Sequence, residues 1–321
     1  MNIVHLSYPL TETDRRAVPA EGQTLAIGDF DGVHVGHREV IRRAVQEAKR
    51  QGLASSVMTF DPHPREVLGS PAYSTWITPL PRKLELLQEL GIDTTYVVAF
   101  DLSLAALSPG AFVDEVLKPL NVKSVSIGFN FTFGHRGAGT AAVLRELGEG
   151  AFEVNAVEPQ QIAGERVSST SIREALAEGD VERVAALLGR PYALAGLVVA
   201  GDGRGRTIGV PTANLSISDR CVRPANGVYA IEAEVETGRL AGRRYQGVMN
   251  VGFKPTFHNA LPEPTWEAHL FDFEGDLYDQ RLKTTFLSRI RNERKFDSVA
   301  ALIAQIERDI EEAKRRFRKD D

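Results

Sequence analysis

This sequence lacks both cysteine pairs and an excess of positive charge. Cys221 is the only cysteine in 321 residues, which excludes an internal disulfide framework and any metal site made of several thiolates, and which is typical of a reducing compartment. The formal net charge is -5, so broad, charge-driven binding to nucleic acid or to an anionic membrane surface is not expected. We therefore expect a cytoplasmic protein without a nucleic-acid partner, in which any phosphate site is local.

Long apolar runs are missing as well. The longest stretch lies around "YALAGLVVAG", about half of the ~20 apolar residues that a membrane-spanning helix needs. The N-terminal segment "MNIVHLSYPLTETDRR" lacks the basic and then apolar pattern of a signal peptide. We expect no membrane partner and no targeting to another compartment. A chain of this length is expected to form two domains instead of one.

Short apolar runs alternate with longer segments of helical periodicity between residues 24 and 188. The runs "TLAIGDF", "ASSVMTF", "TTYVVAF", "KSVSIGF" and "FEVNAVEP" predict strands, and Ser108-Pro109 and Thr140 are typical residues at which helices begin. Strands that are separated by helices require crossover connections, which are right-handed and give a parallel sheet. We predict a doubly wound, Rossmann-like α/β domain over residues 1–188.

The pattern changes to period two beyond residue 188. In "GVYAIEAEVE" the apolar side chains share one face of a strand and the glutamates share the other, and similar runs recur at "LAGLVVAG", "RYQGVMNVG", "TWEAHLFDF" and "LKTTFLSRI". This pattern predicts a small antiparallel β-barrel over residues 189–321. Asp297-Ser298 is expected to cap a terminal helix that packs on the barrel through one apolar face, made of Val299, Leu302, Ile306, Ile310 and Phe317.

The densest motif of the first half is "GDFDGVHVGH", residues 28–37, where a predicted strand becomes a helix that begins near His37. Ligands of open α/β sheets bind beyond the carboxyl ends of the strands. Glycines let a phosphate approach the backbone, and a helix N-terminus presents free amides to it. We interpret the motif as a triphosphate-binding loop, although it is not a P-loop, because no Gly-Lys-Ser/Thr follows the glycines.

Two alternatives to this interpretation stay open at the level of the residues. His34 and His37 are candidate metal ligands, with His63 or His135 as a third, which would suit a metal-dependent hydrolase. Histidines of catalytic zinc motifs on helices are usually four residues apart, however, whereas these two are three apart. The second alternative is a purely structural role for both histidines.

The second half contains another dense motif, "GDGRGRTIGVPTAN", residues 201–214. Its glycines do not have the dinucleotide-binding spacing, and no crossover helix is expected after them, so a Rossmann motif is excluded. A glycine-rich loop with Arg204 and Arg206 leads instead into Pro211, Thr212 and Asn214. Hydroxyl and amide oxygens are hard donors that suit Mg²⁺ held mainly by substrate phosphates.

Several motifs together resemble one known family. "HVGH" and "VSSTSIR" match the H-x-G-H and I-S-S-T-x-I-R motifs of nucleotidyltransferases, and "TFDPHP", "GFNFTFG", "PTAN", "GVMNVGFKPTF" and "RNERKF" follow in a consistent order. Over roughly residues 20 to 300 the chain resembles the prokaryotic bifunctional riboflavin kinase/FAD synthetases. The resemblance implies ATP-dependent phosphorylation of riboflavin to FMN by residues 189–321 and adenylylation of FMN to FAD, with release of pyrophosphate, by residues 1–188.

The resemblance also implies site residues. In adenylyl transfer the catalytic residues would be His34, His37 and Arg173. ATP would be bound there by a set of loop and helix-start residues, namely Gly28, Phe30, Asp31, Gly36, Asn130, Ser169 and Thr170. Asn130 would equally suit a turn, and the serines and threonine a helix cap.

In the second half Glu267 would be the base that accepts the proton of the ribityl 5′-hydroxyl, with Asp272 and Asp276 as competitors. ATP would be bound by the residues of the glycine-rich motif, namely Gly203, Arg206, Pro211, Thr212 and Asn214, of which Thr212 and Asn214 would also bind Mg²⁺. Arg291 would contact the flavin in this half, and in the first half Phe60 and His63 of "FDPHP" would either contact the flavin or belong to a rigid segment at the end of a strand.

The chain departs from the family pattern at two positions. Asp279 stands where many members have glycine, and Trp266 stands where a smaller apolar residue is usual. An alternative to two activities is that only one half is active and the other is a flavin-binding or regulatory module. Complete phosphate-binding motifs in both halves argue against that alternative.

Overall fold

A computed structural model describes residues 1–16, 18–201, 205, 209–254 and 263–318. The chain divides into two compact units, Met1–Ser169 and Thr170–Asp321, which are called the first and the second unit below. This division falls earlier than the predicted boundary after residue 188, because the helix before that boundary packs against strands of the second unit. The predicted limits of the two functional domains stay a prediction.

A six-stranded parallel sheet forms the centre of the first unit and confirms the predicted fold class. Its strands are β1 (Asn2–Leu6), β2 (Gln23–Ile27), β3 (Ala54–Phe60), β4 (Thr94–Val98), β5 (Val122–Gly128) and β6 (Glu153–Val157), in the order β1-β4-β3-β2-β5-β6. Strand β1 was not predicted, because this edge strand buries only Leu6 and shows no apolar periodicity. A small hairpin of β7 (Gln161–Ile162) and β8 (Glu165–Arg166) follows the sheet.

The helices of the first unit connect these strands. They are α1 (Glu12–Arg16), α2 (Val35–Gln51), α3 (Pro64–Val67), α4 (Leu80–Glu89), α5 (Leu102–Ala105), α6 (Pro109–Phe112) and α7 (Ala141–Leu147). The predicted caps are confirmed, since Ser108 accepts a hydrogen bond from the amide of Ala111 and Thr140 accepts one from the amide of Val143. The apolar face of α2 is buried, with Ile41 and Ala44 fully covered.

The strand order contains one topological switch point. From β2 the chain continues to β3 and β4 on one side of the sheet and later to β5 and β6 on the other side. The loops that follow β2 and β5 therefore diverge at the carboxyl edge and leave a crevice between them, which is the usual ligand position in such sheets. Residues 28–34 follow β2 and Asn130 follows β5 at this place.

A closed antiparallel barrel forms the second unit and confirms the second part of the predicted fold. Its strands are β9 (Tyr192–Val199), β10 (Ala213–Ser216), β11 (Gly227–Val235), β12 (Arg244–Lys254), β13 (Glu263–Leu270) and β14 (Arg281–Asn292), closed in the order β10-β13-β12-β11-β14-β9. The predicted faces of β11 are also confirmed, because Tyr229, Ile231 and Val235 are fully buried inside the barrel while Glu232 and Glu234 are partly exposed.

The barrel is accompanied by α8 (Ser169–Glu178), whose first residue still belongs to the first unit, by α9 (Val181–Leu188) and by α10 (Val299–Phe317). Ser298 caps α10 as predicted. The C-terminal part of α10 packs Ala313 and Phe317 against Val228 and Ala230 on the outer surface of the barrel. The predicted apolar face is wrong for Val299, which is 61% exposed, because the packed surface begins further along the helix.

Candidate active sites in the two units

The loop between β2 and α2 has a strained backbone. Phe30 has a φ of 57° and Val33 a φ of 42°, a region that costs about 1–3 kcal/mol for a residue with a side chain and is especially unusual for a β-branched one. The Asp31 carboxylate anchors the loop, since it accepts hydrogen bonds from the amides of Ile77 at 3.2 Å and Thr78 at 3.0 Å. The surrounding structure therefore fixes the conformation of this loop.

The two histidines of the motif stack on each other. Their ring centroids lie 3.5 Å apart with planes at 19°, and the Phe30 ring meets His37 edge-on at 5.3 Å. Nδ1 of His34 accepts a hydrogen bond from the amide of His37 at 3.2 Å and so caps α2, which begins at Val35, two residues before His37. A neutral imidazole that accepts through Nδ1 carries its proton on Nε2, so His34 presents an N–H donor.

The glycines of the motif make room for these rings. A Cβ on Gly36 would lie 3.2 Å from Cε1 of the His34 ring, and a Cβ on Gly28 would lie 3.0 Å from the Phe30 ring. Such distances are shorter than nearly all real Cβ contacts. Gly28 and Gly36 therefore serve the close packing of the Phe30 and His34 rings.

The same contacts argue against a metal centre. Stacked, nearly parallel imidazoles do not converge their nitrogen lone pairs on one ion. Nδ1 of His63 accepts from the amide of Arg65 at 3.0 Å, and its Nε2 lies 3.3 Å from Oδ2 of Asp29. Within the described ranges no group of three or more His, Cys, Asp or Glu side chains has an arrangement that could hold a metal ion.

The other predicted residues of the first site have different positions. The hydroxyl of Ser169 donates to the carbonyl of Asp31 at 3.0 Å, which joins the start of α8 to the loop. Asn130 is exposed at the carboxyl edge, and Phe60 packs edge-on against Phe100 at 5.8 Å. Thr170 and Arg173 lie in the first turns of α8, within the second unit. The roles of these residues stay predictions.

A row of polar residues crosses the barrel of the second unit. In the strand register Glu267 of β13 lies opposite Asn214 of β10 on one side and opposite Asn250 of β12 on the other. Residues directly opposite in antiparallel strands point to the same face, with Cβ atoms about 4.5–5.5 Å apart. Asn250 in turn lies opposite Val228, which packs under α10. These three residues, called the polar row below, therefore lie on the outer face of the barrel.

Two further contacts shape the surroundings of the polar row. Nδ1 of His269 lies 2.8 Å from the carbonyl oxygen of Pro211, which joins β13 to the segment before β10. A Cβ on Gly201 would lie 2.1 Å from Nδ2 of Asn214, and one on Gly205 would lie 3.3 Å from Oγ1 of Thr212. Asn214 therefore packs directly against the backbone at Gly201, and Thr212 lies close to the backbone at Gly205. Gly203 and Arg206 lie outside the described residues.

Comparison with known proteins identifies the family. A family model described as FAD synthetase matches residues 17–171, and one described as Riboflavin kinase matches residues 188–317. The Bifunctional riboflavin kinase/FMN adenylyltransferase of Bacillus subtilis (strain 168) is 42% identical, over 99% of this chain and 98% of that protein. The chain belongs to the bifunctional riboflavin kinase/FMN adenylyltransferase family. The protein of the same name from Escherichia coli (strain K12) is 39% identical over 91% of both chains.

A solved structure described as a macrolide-efflux protein from Streptococcus pneumoniae has the same fold, with a TM-score of 0.86, 33% identity and coverage of 97% of this chain and 99% of that chain. No helix in the part of this chain that the structure describes has the length and apolarity to cross a membrane. As in its relatives of the bifunctional family, both a riboflavin kinase and an FAD synthetase domain are present. These activities use ATP and connect riboflavin, FMN and FAD.

Arg291, which the family resemblance connects with flavin, is held by α10. Its Nε donates to both carboxylate oxygens of Asp309, at 3.0 and 2.8 Å, and Asp309 is only 3% exposed. In the register Arg291 lies opposite Val228, which separates it from Asn250 of the polar row. Near the row the Arg223 guanidinium covers Phe253 at 3.8 Å, and burial lowers the pKa of Arg223.

Both departures from the family pattern have a structural account. Asp279 has a φ of 60°, in the region that glycine adopts without a steric cost and that aspartate tolerates better than most residues. Trp266 is 5% exposed and points into the barrel, because its neighbour Glu267 lies on the outer face. Neither residue belongs to the polar row.

Three residues of these sites were not predicted from the sequence. The position of Asn250 next to Glu267 is visible only in the register of the barrel strands. The one sequence signal for it was that Asn250 stands between Met249 and Val251, which are buried. Asp29 was part of the motif, but its partners His63 and Lys83 are far away in the sequence. Lys83 stood in an ordinary amphipathic helix, where lysine is normally exposed.

The contact of Gly201 with Asn214 gives a first prediction. Changing Gly201 to Ala places a methyl group on the amide of Asn214 and displaces that side chain. We expect FMN formation from riboflavin to fall about 10-fold or more, since small misplacements of positioned groups have large kinetic effects. Initial rates with riboflavin and ATP measure this. FAD formation from supplied FMN is the control within the same chain, and an unchanged rate of FMN formation would contradict the assigned position of Asn214.

Proposed function

We propose that residues 28–37 and the start of α8 carry out adenylyl transfer, and that the polar row with Thr212 carries out phosphorylation of riboflavin. The observation that supports this division is the position of each motif. The stacked histidines lie at the switch point of the α/β sheet, where such sheets bind nucleotides. Glu267 lies between two asparagines on the outer face of a separate barrel.

In adenylyl transfer a phosphate oxygen of FMN attacks the α-phosphorus of ATP, and pyrophosphate leaves. No protein nucleophile is needed, so the site must position both substrates and stabilise negative charge. The Nε2–H of His34, the His37 ring and the first amides of α2 supply donors, and the N-terminus of a helix favours anions. Ser169, Thr170 and Arg173 bind the departing phosphates, while Phe60 and His63 contact the flavin.

In phosphorylation of riboflavin the ribityl 5′-hydroxyl attacks the γ-phosphorus of ATP, and ADP leaves. Glu267 accepts the hydroxyl proton, and the facing asparagines orient the reacting groups. The competing carboxylates are less suitable, because Asp276 accepts a hydrogen bond from the amide of Tyr278 at 2.8 Å within a turn and Asp272 lies beyond the end of β13. Phosphoryl transfer depends mainly on positioning and charge stabilisation, so Thr212 and Asn214 contribute as much as Glu267.

Mg²⁺ is the cofactor that fits the second site. The oxygens of Thr212 and Asn214 are hard, neutral donors next to positions without side chains, as expected for an ion that is held mainly by ATP phosphates. When bound, Mg²⁺ neutralises charge on the phosphates. Neutral metal ligands fit a protein that works where ATP is abundant, and a single, buried cysteine, Cys221, fits a reducing compartment. Both conditions are those of the cytoplasm.

Removal of divalent ions is expected to stop FMN formation. With excess EDTA the rate should fall to background, and added MgCl2 should restore it, because neutral oxygens alone do not offset the phosphate charge. The melting temperature should stay the same, since no described cluster of charged side chains depends on the ion. A rate that persists in EDTA would exclude Mg²⁺ from the reaction.

One assay tests the division of labour. The purified chain is incubated with riboflavin, ATP and MgCl2, and the flavins are separated by chromatography over time. FMN should appear first and FAD after it. Accumulation of FMN without FAD would mean that the first unit is only a flavin-binding module. If riboflavin stays unchanged while FAD forms from supplied FMN, the second unit is the flavin-binding module instead.

A further inference from the structure

Lys83 is a buried lysine next to the loop of the first site. It projects from α4 and is 5% exposed, although lysine is almost never buried unless it is paired. Its Nζ donates to the backbone carbonyl of Asp29 at 2.8 Å and to Oγ1 of Thr59 at 3.3 Å, and lies 4.0 Å from Oδ1 of Asp29. One ammonium group thus holds both the backbone and the carboxylate of Asp29.

The carbonyl that Lys83 holds belongs to the peptide group between Asp29 and Phe30. Thr59 donates to the same carbonyl at 2.7 Å. Rotation about the next bond sets the φ of Phe30, which has the unfavourable value of 57°. Because the Phe30 ring packs edge-on against His37, a fixed peptide group at Asp29 helps to fix the stacked histidines.

The carboxylate that Lys83 neutralises has two further partners. Oδ2 of Asp29 accepts from the amide of Asp31 at 3.1 Å and lies 3.3 Å from Nε2 of His63. Because Nδ1 of His63 accepts from the amide of Arg65, a neutral ring carries its proton on Nε2, the nitrogen that lies near Asp29. Asp29 therefore connects the loop after β2 to His63 after β3, with Lys83 as its counter-ion.

We propose that Lys83 is a positioning residue for adenylyl transfer, which acts through Asp29 on the histidine loop and on His63. It does not touch the reacting phosphates. This inference rests on the assignment of adenylyl transfer to residues 28–37 proposed above. The buried ion pair keeps the strained loop in the conformation in which His34 and His37 bind phosphate.

The test compares K83M with the wild-type chain, using FMN, ATP and MgCl2 as substrates and chromatography of FAD as the readout. We expect kcat for FAD formation to fall about 10²-fold, as for a displaced catalytic group, while KM for ATP and for FMN change by no more than about threefold. FMN formation from riboflavin by the same chain should be unchanged. A wild-type kcat, or a change in KM alone, would overturn the proposal.

The matched control is R82M. Arg82 is the preceding residue of the same helix, but its side chain is 30% exposed and pairs with Glu85 and Glu89. We expect FAD formation by R82M to stay within about twofold of wild type, because surface ion pairs contribute little. A loss in R82M equal to that in K83M would mean that any lost charge on α4 has this effect, and would refute a specific role of Lys83.

A double-mutant cycle with D29N tests whether Lys83 acts through Asp29. Asparagine keeps the shape of Asp29 and removes its charge. If Lys83 acts through Asp29, the double variant K83M/D29N loses no more activity than the less active of the two single variants. If the fold-losses of the two single variants multiply in the double variant, the two residues have independent roles, which refutes the connection. Should K83M fail to fold, D29N decides, because wild-type kcat in folded D29N overturns the proposal. Loss of FAD formation in H37A but not in K83M would refute this inference and leave the proposed function intact.

Discussion

Replacing His37 by alanine is expected to stop FAD formation and to leave FMN formation intact. The change removes one ring of the stacked pair, together with the edge-on contact that orders Phe30. Loss of one preorganised donor at a developing charge typically costs about 10²–10³ in kcat. FAD formed from supplied FMN and ATP, quantified by chromatography, measures the effect. The backbone amide of residue 37 still donates a hydrogen bond to Nδ1 of His34, so the fold is expected to persist.

A histidine elsewhere in the first unit provides the matched control for His37→Ala. His5 lies on the edge strand β1 and is exposed, so His5→Ala should form FAD at the wild-type rate. FMN formation from riboflavin by both variants reports on the second unit. Full FAD formation by folded H37A would contradict the assignment of the first site, and loss of both products would contradict the division of labour between the units.

The second large effect is expected for Asn214→Ala. It removes a member of the polar row that faces Glu267 in the register and borders Gly201. We expect FMN formation to fall about 10²-fold or more, because in the proposed reaction Asn214 orients both the phosphates with Mg²⁺ and the base Glu267. FAD formation from supplied FMN should be unchanged. Rates with riboflavin and with FMN as alternative substrates measure the two activities separately.

Ser216→Ala is the control on the same strand. Ser216 lies two residues beyond Asn214 on β10 and is exposed, so its loss should leave both activities within about twofold, as for an ordinary surface change. If Asn214→Ala also kept the wild-type rate, the polar row would not be the phosphorylation site. The assignment of Glu267 as the base would then lose its structural support.

Most of the fold could be predicted from the sequence, because its elements depend on local pattern. The alternation in "GVYAIEAEVE" determines which face of β11 is inside the barrel, and Ser108, Thr140 and Ser298 cap the helices that follow them. The edge strand β1 was missed, since an edge strand with four partly or fully exposed residues has no such pattern. Val299 was assigned to a packed face that starts only later in α10.

The sequence motifs of the two sites could be predicted, but the distant residues that hold these motifs in place could not. No local sequence pattern predicts the strained φ angles of Phe30 and Val33, because residues that are distant in the sequence hold this loop in place. The contact between Lys83 and Asp29 and the ion pair between Arg291 and Asp309 join segments that meet only in the folded chain. Asn250 became visible only through the register of β12 and β13.

The two sheets differ in what they offer to other molecules of the same protein. The barrel closes on itself, so within it each strand has a neighbour on both sides, whereas the parallel sheet ends at β1 and β6. A strand at the edge of a sheet has unpaired backbone N–H and C=O groups, which can form hydrogen bonds with a strand of a second molecule. If heated protein aggregates through intermolecular strands, growth should therefore start from the adenylyl-transfer half, and the riboflavin-phosphorylating half should be recruited only after its ring of strands has opened.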